Sequence, residues 1–78
     1  MQPMVLPLES LHCGEWAEVE DIVGEQSLVS RLAELGLRVG GRLKMVRQGL
    51  PCLLQVGGAR LSLRGLQDLQ VLVRPLSA

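Results

Sequence analysis

The stretch RLAELGLRVGGRLKMV, residues 31–46, changes from a helical pattern to a strand pattern across three glycines. Gly36 directly follows the apolar periodicity, at the position after a helix where a residue with positive φ ends the last turn. Leu37 is then the apolar residue expected to fold back onto that turn. The stretch therefore predicts a helix that ends abruptly and a strand that begins a few residues later.

The helix predicted ahead of Gly36 covers residues 27–35. Its leucines lie at i, i+4 and i+7, which predicts a single buried face: Leu28, Leu32 and Leu35. Ser27 is a residue type that favours the N-cap position. This is the one clear helix in the sequence, and the other apolar segments have the length and alternation of short strands.

The first strand is predicted over residues 15–23. Strict alternation along it would bury Asp21. A β-bulge near Glu20 and Asp21 would instead turn Val19 and Ile22 inward together. We therefore predict the bulge.

Two further strands are predicted in the C-terminal half of the chain. Gly40 suits the third position of a type II turn, which requires positive φ, and the strand after it covers residues 42–47. The last strand covers residues 70–74. The positions predicted to face inward on these two strands are Leu43, Met45, Val71 and Val73.

The pair Gly57-Gly58 lies between two apolar segments and predicts a β-hairpin with a two-residue turn. A turn of that length sets the register of both strands. The inward pairs are then Val56 with Ala59, Leu54 with Leu61 and Cys52 with Leu63, and the outward pairs are Gln55 with Arg60 and Leu53 with Ser62.

Residues 1–7 have the pattern of an irregular lead-in, followed by one helical turn that places Leu8 and Leu11 on the same side. A second short helical turn is predicted over residues 65–69. The total is five short strands with one helix inserted between the first and the second. We therefore predict a mainly β, single-domain protein over residues 1–78, built as a small five-stranded SH3-like barrel.

Composition excludes several functions. The 78 residues include one Trp and neither Phe nor Tyr, so the chain cannot build an aromatic platform for single-stranded nucleic acid or a groove for proline-rich peptides. No apolar run approaches the roughly 18 residues of a membrane span, and the opening MQPMVLPL lacks the basic start of a signal peptide. We expect a cytoplasmic protein that neither binds nucleic acid nor inserts into membranes, with Cys13 and Cys52 reduced.

Charge is segregated along the chain, although the net charge is zero. Residues 1–37 contain seven acidic residues and one basic residue, and residues 38–78 contain seven basic residues and one acidic residue. Two interpretations remain open. Either the opposite charges neutralise each other across the sheet, or they form a bipolar surface that steers a charged partner.

The sequence contains one histidine and no phosphate-binding glycine loop, so we predict no enzyme activity and no required cofactor. His12 and Cys13, with Glu15 just beyond them, are nevertheless ligand types for zinc and related divalent metals. These residues are either ordinary surface and partly buried groups or the ligands of a Zn or Fe(II) ion. In the second case a contact between two chains would complete the coordination, which predicts a metal-bridged homodimer.

A partner-binding surface is predicted on the outer side of the hairpin. Leu53 faces outward in the predicted register, and Leu50 precedes it in the loop, on the other side of Pro51. Two leucines around a proline favour an interface of aliphatic packing, rimmed here by Arg47 and Arg60. The alternative is that the two leucines cover the open end of the barrel.

The order of motifs along the chain resembles the ferrous iron transport protein A family. These motifs are L-x-x-L, G-E-x-A-x-V, R-L-x-E-L-G-L-x-x-G, an L-P hairpin region, and R-L-S-L-R before the last strand. The resemblance covers residues 5–74 and is most specific at RLAELGLRVGGRL, residues 31–43. No family motif matches Trp16 or the His12-Cys13 pair, and the family supplies no catalytic residues.

The resemblance implies an SH3-like barrel with an inserted helix and a role beside a membrane permease for Fe(II). It further implies a small cytosolic accessory or regulatory protein that binds the cytosolic GTPase region of that permease. The local chemistry of His12 and Cys13 leaves a second function open, a self-contained metal buffer or sensor.

Overall fold

Strands dominate the computed structural model, which describes residues 4–49, 51–63 and 69–76. The described residues form six strands: β1 Leu6–Pro7, β2 Trp16–Gly24, β3 Arg42–Arg47, β4 Cys52–Val56, β5 Ala59–Leu63 and β6 Leu69–Pro75. One helix, α1 Gln26–Glu34, lies between β2 and β3. All pairings are antiparallel, in the order β1-β6-β2-β3-β4-β5. This is the predicted mainly β architecture with one inserted helix.

The N-terminal lead-in is more ordered than predicted. Leu6 and Pro7 form the short strand β1, which pairs with β6, so the sheet has six strands rather than five. Two residues carry no readable alternation, and the pairing depends on a strand more than 60 positions away. The predicted helical turn is confirmed as a 3-10 turn over Leu8–Ser10, with Leu8 and Leu11 fully buried.

Strand β2 carries the predicted bulge. Its register against β6 shifts between Val19 and Asp21, so Glu20 is the extra residue. Val19 is buried and Ile22 packs against the core, whereas Asp21 remains exposed. The bulge therefore reconciles the apolar pattern of β2 with a solvated carboxylate.

A Schellman motif ends helix α1. The N–H of Leu37 donates to the carbonyl of Leu32 at 2.8 Å, and the N–H of Gly36 donates to the carbonyl of Ala33 at 3.0 Å. Gly36 has φ of +104°, a conformation that a side chain disfavours, and Leu37 is buried. The predicted end of the helix is confirmed.

The turn after Leu37 connects the helix to the sheet. Gly41 donates its N–H to the carbonyl of Arg38 at 2.9 Å, and Gly40 has φ of +87°, as a type II turn requires at its third position. Val19 of β2 also bonds this turn, accepting from Gly40 at 2.9 Å and donating to the carbonyl of Gly41 at 2.8 Å. These bonds hold the start of β3 beside β2.

The buried face of α1 differs from the prediction. Leu32 is only 4% exposed, but Leu28 is 36% and Leu35 is 51% exposed. The helix packs on the core through Leu32 and the partly buried Val29. Gly36 lies against β4 just beyond the helix, and this close approach turns the face that contains residues 29, 32 and 36 inward. The predicted leucine stripe is therefore wrong at Leu28 and Leu35.

The helix also begins one residue earlier than predicted. Glu25 is the N-cap residue, and its side chain makes no capping hydrogen bond. Ser27 lies in the first turn, where its hydroxyl donates to Oε1 of Glu25 at 2.6 Å. Ser27 is therefore not the N-cap, because the helix begins at Gln26 and Glu25 occupies the N-cap position.

The hairpin β4–β5 has the predicted register at all five pairs, from Val56 with Ala59 to Cys52 with Leu63. Inward residues of every long strand meet in one core with Leu8, Leu11, Leu32 and Leu37. Leu43, Met45, Val71 and Val73 face inward as predicted. The helical turn predicted over residues 65–69 falls outside the described residues except for Leu69, which begins β6 and is buried.

Candidate functional site

The loop that enters β2 brings His12 and Glu15 together. The backbone N–H of His12 donates to Oε1 of Glu15 at 2.6 Å, and Nδ1 of the ring lies 3.2 Å from the same oxygen. The N–H of Glu15 donates in turn to the carbonyl of His12 at 3.1 Å. The carboxylate therefore closes the loop like a capping group.

Strand β3 fixes this loop in place. Gly14 donates its N–H to the carbonyl of Met45 at 2.6 Å, and Met45 donates to the carbonyl of Glu15 at 2.9 Å. Since Met45 is fully buried, the loop is attached to a part of β3 that belongs to the core. The backbone of the loop that carries His12 and Glu15 is thus held in position by bonds to β3.

The hydrogen bond from the His12 backbone lowers the pKa of Glu15 below its ordinary value, against a weaker effect of desolvation in the opposite direction. The His12 ring makes further, smaller contributions that lower the pKa. Glu15 is therefore ionised at neutral pH. An anionic oxygen beside an imidazole nitrogen is a suitable donor pair for a divalent cation.

The predicted metal ligands meet only in part. His12 and Glu15 are in contact, and Cys13 is an exposed free thiol. Within residues 4–49, 51–63 and 69–76, no group of three His, Cys, Asp or Glu side chains could hold a metal ion. A metal at this loop would thus need further ligands, such as those of a second chain. The metal site stays a prediction.

The second cysteine plays no part in that loop. Cys52 is buried in β4 opposite Leu63, as the hairpin register predicted. Burial raises the pKa of its thiol above the ordinary value. Cys52 is therefore a protonated core side chain, and the thiolate that metals bind is disfavoured there.

The predicted partner surface lies on the outer face of β3 to β5. Leu53 is half-buried between its cross-strand neighbours Arg47 and Ser62. Pro51 is exposed ahead of β4, whereas Leu50 lies outside the described residues. Leu53 and Arg47 are thus brought into direct proximity.

Arg60 lies one row further along the same face, and this row contains two residues that the prediction missed. Trp16 pairs with Lys44, Lys44 with Gln55, and Gln55 with Arg60. Nζ of Lys44 lies 5.9 Å from the centre of the Trp16 ring, within the range of a cation–π contact. Alternation of β3 signals that Lys44 faces outward, but no sequence signal gives the pairing of β2 with β3.

Charge segregation along the chain is partly neutralised across the sheet. Nη2 of Arg74 lies 3.0 Å from Oε1 of Glu18 on the adjacent strand, and Nε lies 3.9 Å from Oε2 of Glu20. Neutralisation of opposite charges across the sheet, the first of the two interpretations, thus applies to β2 and β6. It does not extend to the cations of β3 and β5, which form no ion pair within the described part of the chain.

Comparison with known proteins gives a family and a solved structure. The family model of the FeoA domain matches residues 6–75, from the start of β1 to the end of β6. A crystal structure described as an iron uptake regulatory protein (FeoA) superposes with a TM-score of 0.82 at 30% sequence identity. That match covers 94% of this chain and 100% of the other, and it supports the SH3-like fold.

No curated protein matches the chain. In the parts of the chain that the structure describes, no helix has the length and apolar character needed to cross a membrane.

Proposed function

Because this chain belongs to the FeoA domain family, we propose that it is a small cytoplasmic accessory and regulatory protein that binds the cytosolic GTPase region of an Fe(II) permease. Family membership gives the chain a role in ferrous iron transport, and FeoA is an accessory domain of that process rather than a known enzyme family. The binding partner and the mode of regulation are the parts that we propose.

The observation that carries the proposal is the outer face of the β3–β5 region. Leu53 is half-buried there, with Arg47 beside it and Arg60 in the next row. An apolar residue within a charged rim is the usual anatomy of a protein interface. An accessory protein that acts by contact needs such a surface and no catalytic group.

Binding to the permease's purified cytosolic domain tests the proposal directly. We expect the chain to bind that domain, and Leu53→Ser to weaken binding with little change in the thermal midpoint. Leu35→Ser is the matched control, since it also removes a leucine outside the buried core, but this leucine lies at the end of α1. Absence of binding both with and without Fe(II) would refute the proposal. Equal binding by the two variants would show that Leu53 is not part of the interface.

A second candidate function is a metal buffer or sensor that uses His12, Cys13 and Glu15. The contact of 3.2 Å between Nδ1 of His12 and Oε1 of Glu15 favours it, because both donors already converge. The ion would be Zn or Fe(II), and two chains would share it, since the described residues of one chain offer no complete set of ligands. Zinc-dependent dimerisation without binding to the permease domain would favour this second function.

A further inference from the structure

An indole and a set of cations share the outer face of the sheet. In one row Trp16, Lys44, Gln55 and Arg60 follow each other across four strands, a distance of roughly 14 Å at the usual strand spacing. The neighbouring row contains Arg47, Leu53 and Ser62. We call the surface formed by Trp16, Arg42, Lys44, Arg47, Leu53 and Arg60 the Trp16 face.

The Trp16 face has an excess of positive charge. In the described residues, no carboxylate lies within 4.0 Å of the cations of Arg42, Lys44, Arg47 or Arg60. Two acidic residues lie on this side of the sheet: Glu18, which is the cross-strand neighbour of Arg42, and Glu20. Both of their carboxylates lie within 4.0 Å of Arg74 rather than of a cation of the Trp16 face. Like charges on neighbouring strands repel each other, so an anion that binds across them relieves this repulsion.

The same surface presents apolar area at two positions, Trp16 at one end of its row and Leu53 on β4. Trp16 is 44% exposed, although an indole is the side chain whose burial contributes most to protein interfaces. Leu53 adds a half-buried aliphatic side chain one row away. The face therefore suits an occupant that carries both carboxylates and an apolar side chain.

We propose that the Trp16 face binds an acidic segment of a partner protein, with carboxylates against Lys44 and Arg60 and an apolar side chain against the indole. The inference rests on the proposed function in one respect, namely that this partner is the cytosolic region of the permease. It adds the chemistry of the partner segment and assigns Trp16, Arg42 and Lys44 to the interface.

Charge on the other parts of the molecule favours a short protein segment over a nucleic acid. A polyanion longer than the face would meet the carboxylates of Glu20 and Asp21 at the bulge and of Glu25 and Glu34 at the two ends of α1, which would repel it. The net charge of zero gives no long-range attraction to offset this repulsion. One aromatic ring gives a single stacking position, whereas single-stranded nucleic acid needs several. A short protein segment with a few carboxylates is small enough to contact only the basic strands and to avoid these acidic residues.

The single tryptophan makes the test direct, because its fluorescence reports only this face. The probe is a synthetic peptide of glutamates with two leucines, and the matched peptide has glutamine in place of each glutamate. We expect a saturable change in Trp16 emission with the acidic peptide and at least roughly tenfold weaker binding of the glutamine peptide. Binding should also weaken as salt rises to about 0.3 M.

Variants then separate the face from the rest of the surface. Lys44→Gln combined with Arg60→Gln should abolish binding of the acidic peptide, while Arg31→Gln on α1 should leave it unchanged. The proposal is overturned if the two variants behave alike or if the acidic peptide leaves the emission unchanged. Tighter binding of a single-stranded oligonucleotide, of anionic phosphatidylglycerol vesicles or of a second copy of the chain would likewise overturn it.

The permease domain distinguishes this inference from the proposed function. If that domain binds the native chain and the double variant equally, the proposed function stands and the acidic-segment inference fails. If the acidic peptide binds the face but the permease domain does not bind at all, the inference stands for another partner and the proposed function fails.

Discussion

Gly36 lies so close to Val56 that a Cβ atom added to the glycine would be 3.0 Å from Cγ1 of the valine. This contact joins the end of α1 to β4, two elements that are distant in the sequence. Gly36 also has φ of +104°, so an added side chain would be strained as well as crowded. The residue that ends the helix is therefore also the residue through which the helix end approaches the sheet.

Gly36→Ala should lower the free energy of unfolding by about 1–2 kcal/mol or more, because the positive φ and the contact with Val56 both oppose a methyl group. Gly58→Ala is the matched control, since no atom lies within 4 Å of an added Cβ there. Chemical denaturation of both variants measures the difference. Equal stability of the two variants would contradict the packing described at the helix end.

Glu18→Gln should destabilise the protein by less than about 1 kcal/mol, since the ion pair with Arg74 is roughly one-third exposed and screened by solvent. The difference from the native chain should shrink as salt is added. Glu34→Gln serves as the control, because Glu34 forms no ion pair within the described residues. A loss of stability that is independent of salt would show that packing, rather than charge, holds Arg74.

Glu15 should make stability depend on pH in the acidic range. Its pKa in the folded state is depressed, mainly by the His12 N–H, so its contribution is fully present above the unfolded value near 4.5. That contribution is lost as pH falls through the lower folded pKa. Glu15→Gln should therefore have a lower thermal midpoint than the native chain at neutral pH, and the gap should close under acidic conditions. A gap that persists at low pH would argue against the hydrogen bond.

The two thiols should differ sharply in reactivity. Cys13 is exposed, whereas burial raises the pKa of Cys52 and excludes reagents from it. Alkylation at neutral pH, followed by mass spectrometry, should label Cys13 first and Cys52 only under denaturing conditions. Rapid labelling of both thiols in the folded protein would contradict the burial of Cys52 in β4.

Zinc should promote dimer formation if His12 and Cys13 bind metal between two chains. The double variant His12→Ala and Cys13→Ser should then remain monomeric when zinc is added, as measured by sedimentation. Cys52→Ala is a suitable control, since its thiol lies in the core. An unchanged zinc stoichiometry in the double variant would dismiss the metal site.

Local patterns in the sequence determined the features that depend on neighbouring residues. Gly36 and Leu37 predicted the end of the helix, and Gly57-Gly58 predicted every pair of the hairpin. The apolar pattern around Asp21 predicted the bulge. In each case the chemistry of a few adjacent residues restricts the backbone, so the information is present before the chain folds.

Tertiary structure alone decided what depends on distant segments. The spacing of Leu28, Leu32 and Leu35 correctly predicted a helix, but it did not predict which face is buried. The approach of Gly36 to Val56 turns a different face of α1 inward. In the same way, only the pairing of β2 with β3 places Trp16 beside Lys44 and so forms the Trp16 face. The physical reason is that burial and strand pairing are shared between segments far apart in the chain, whereas periodicity describes each segment by itself.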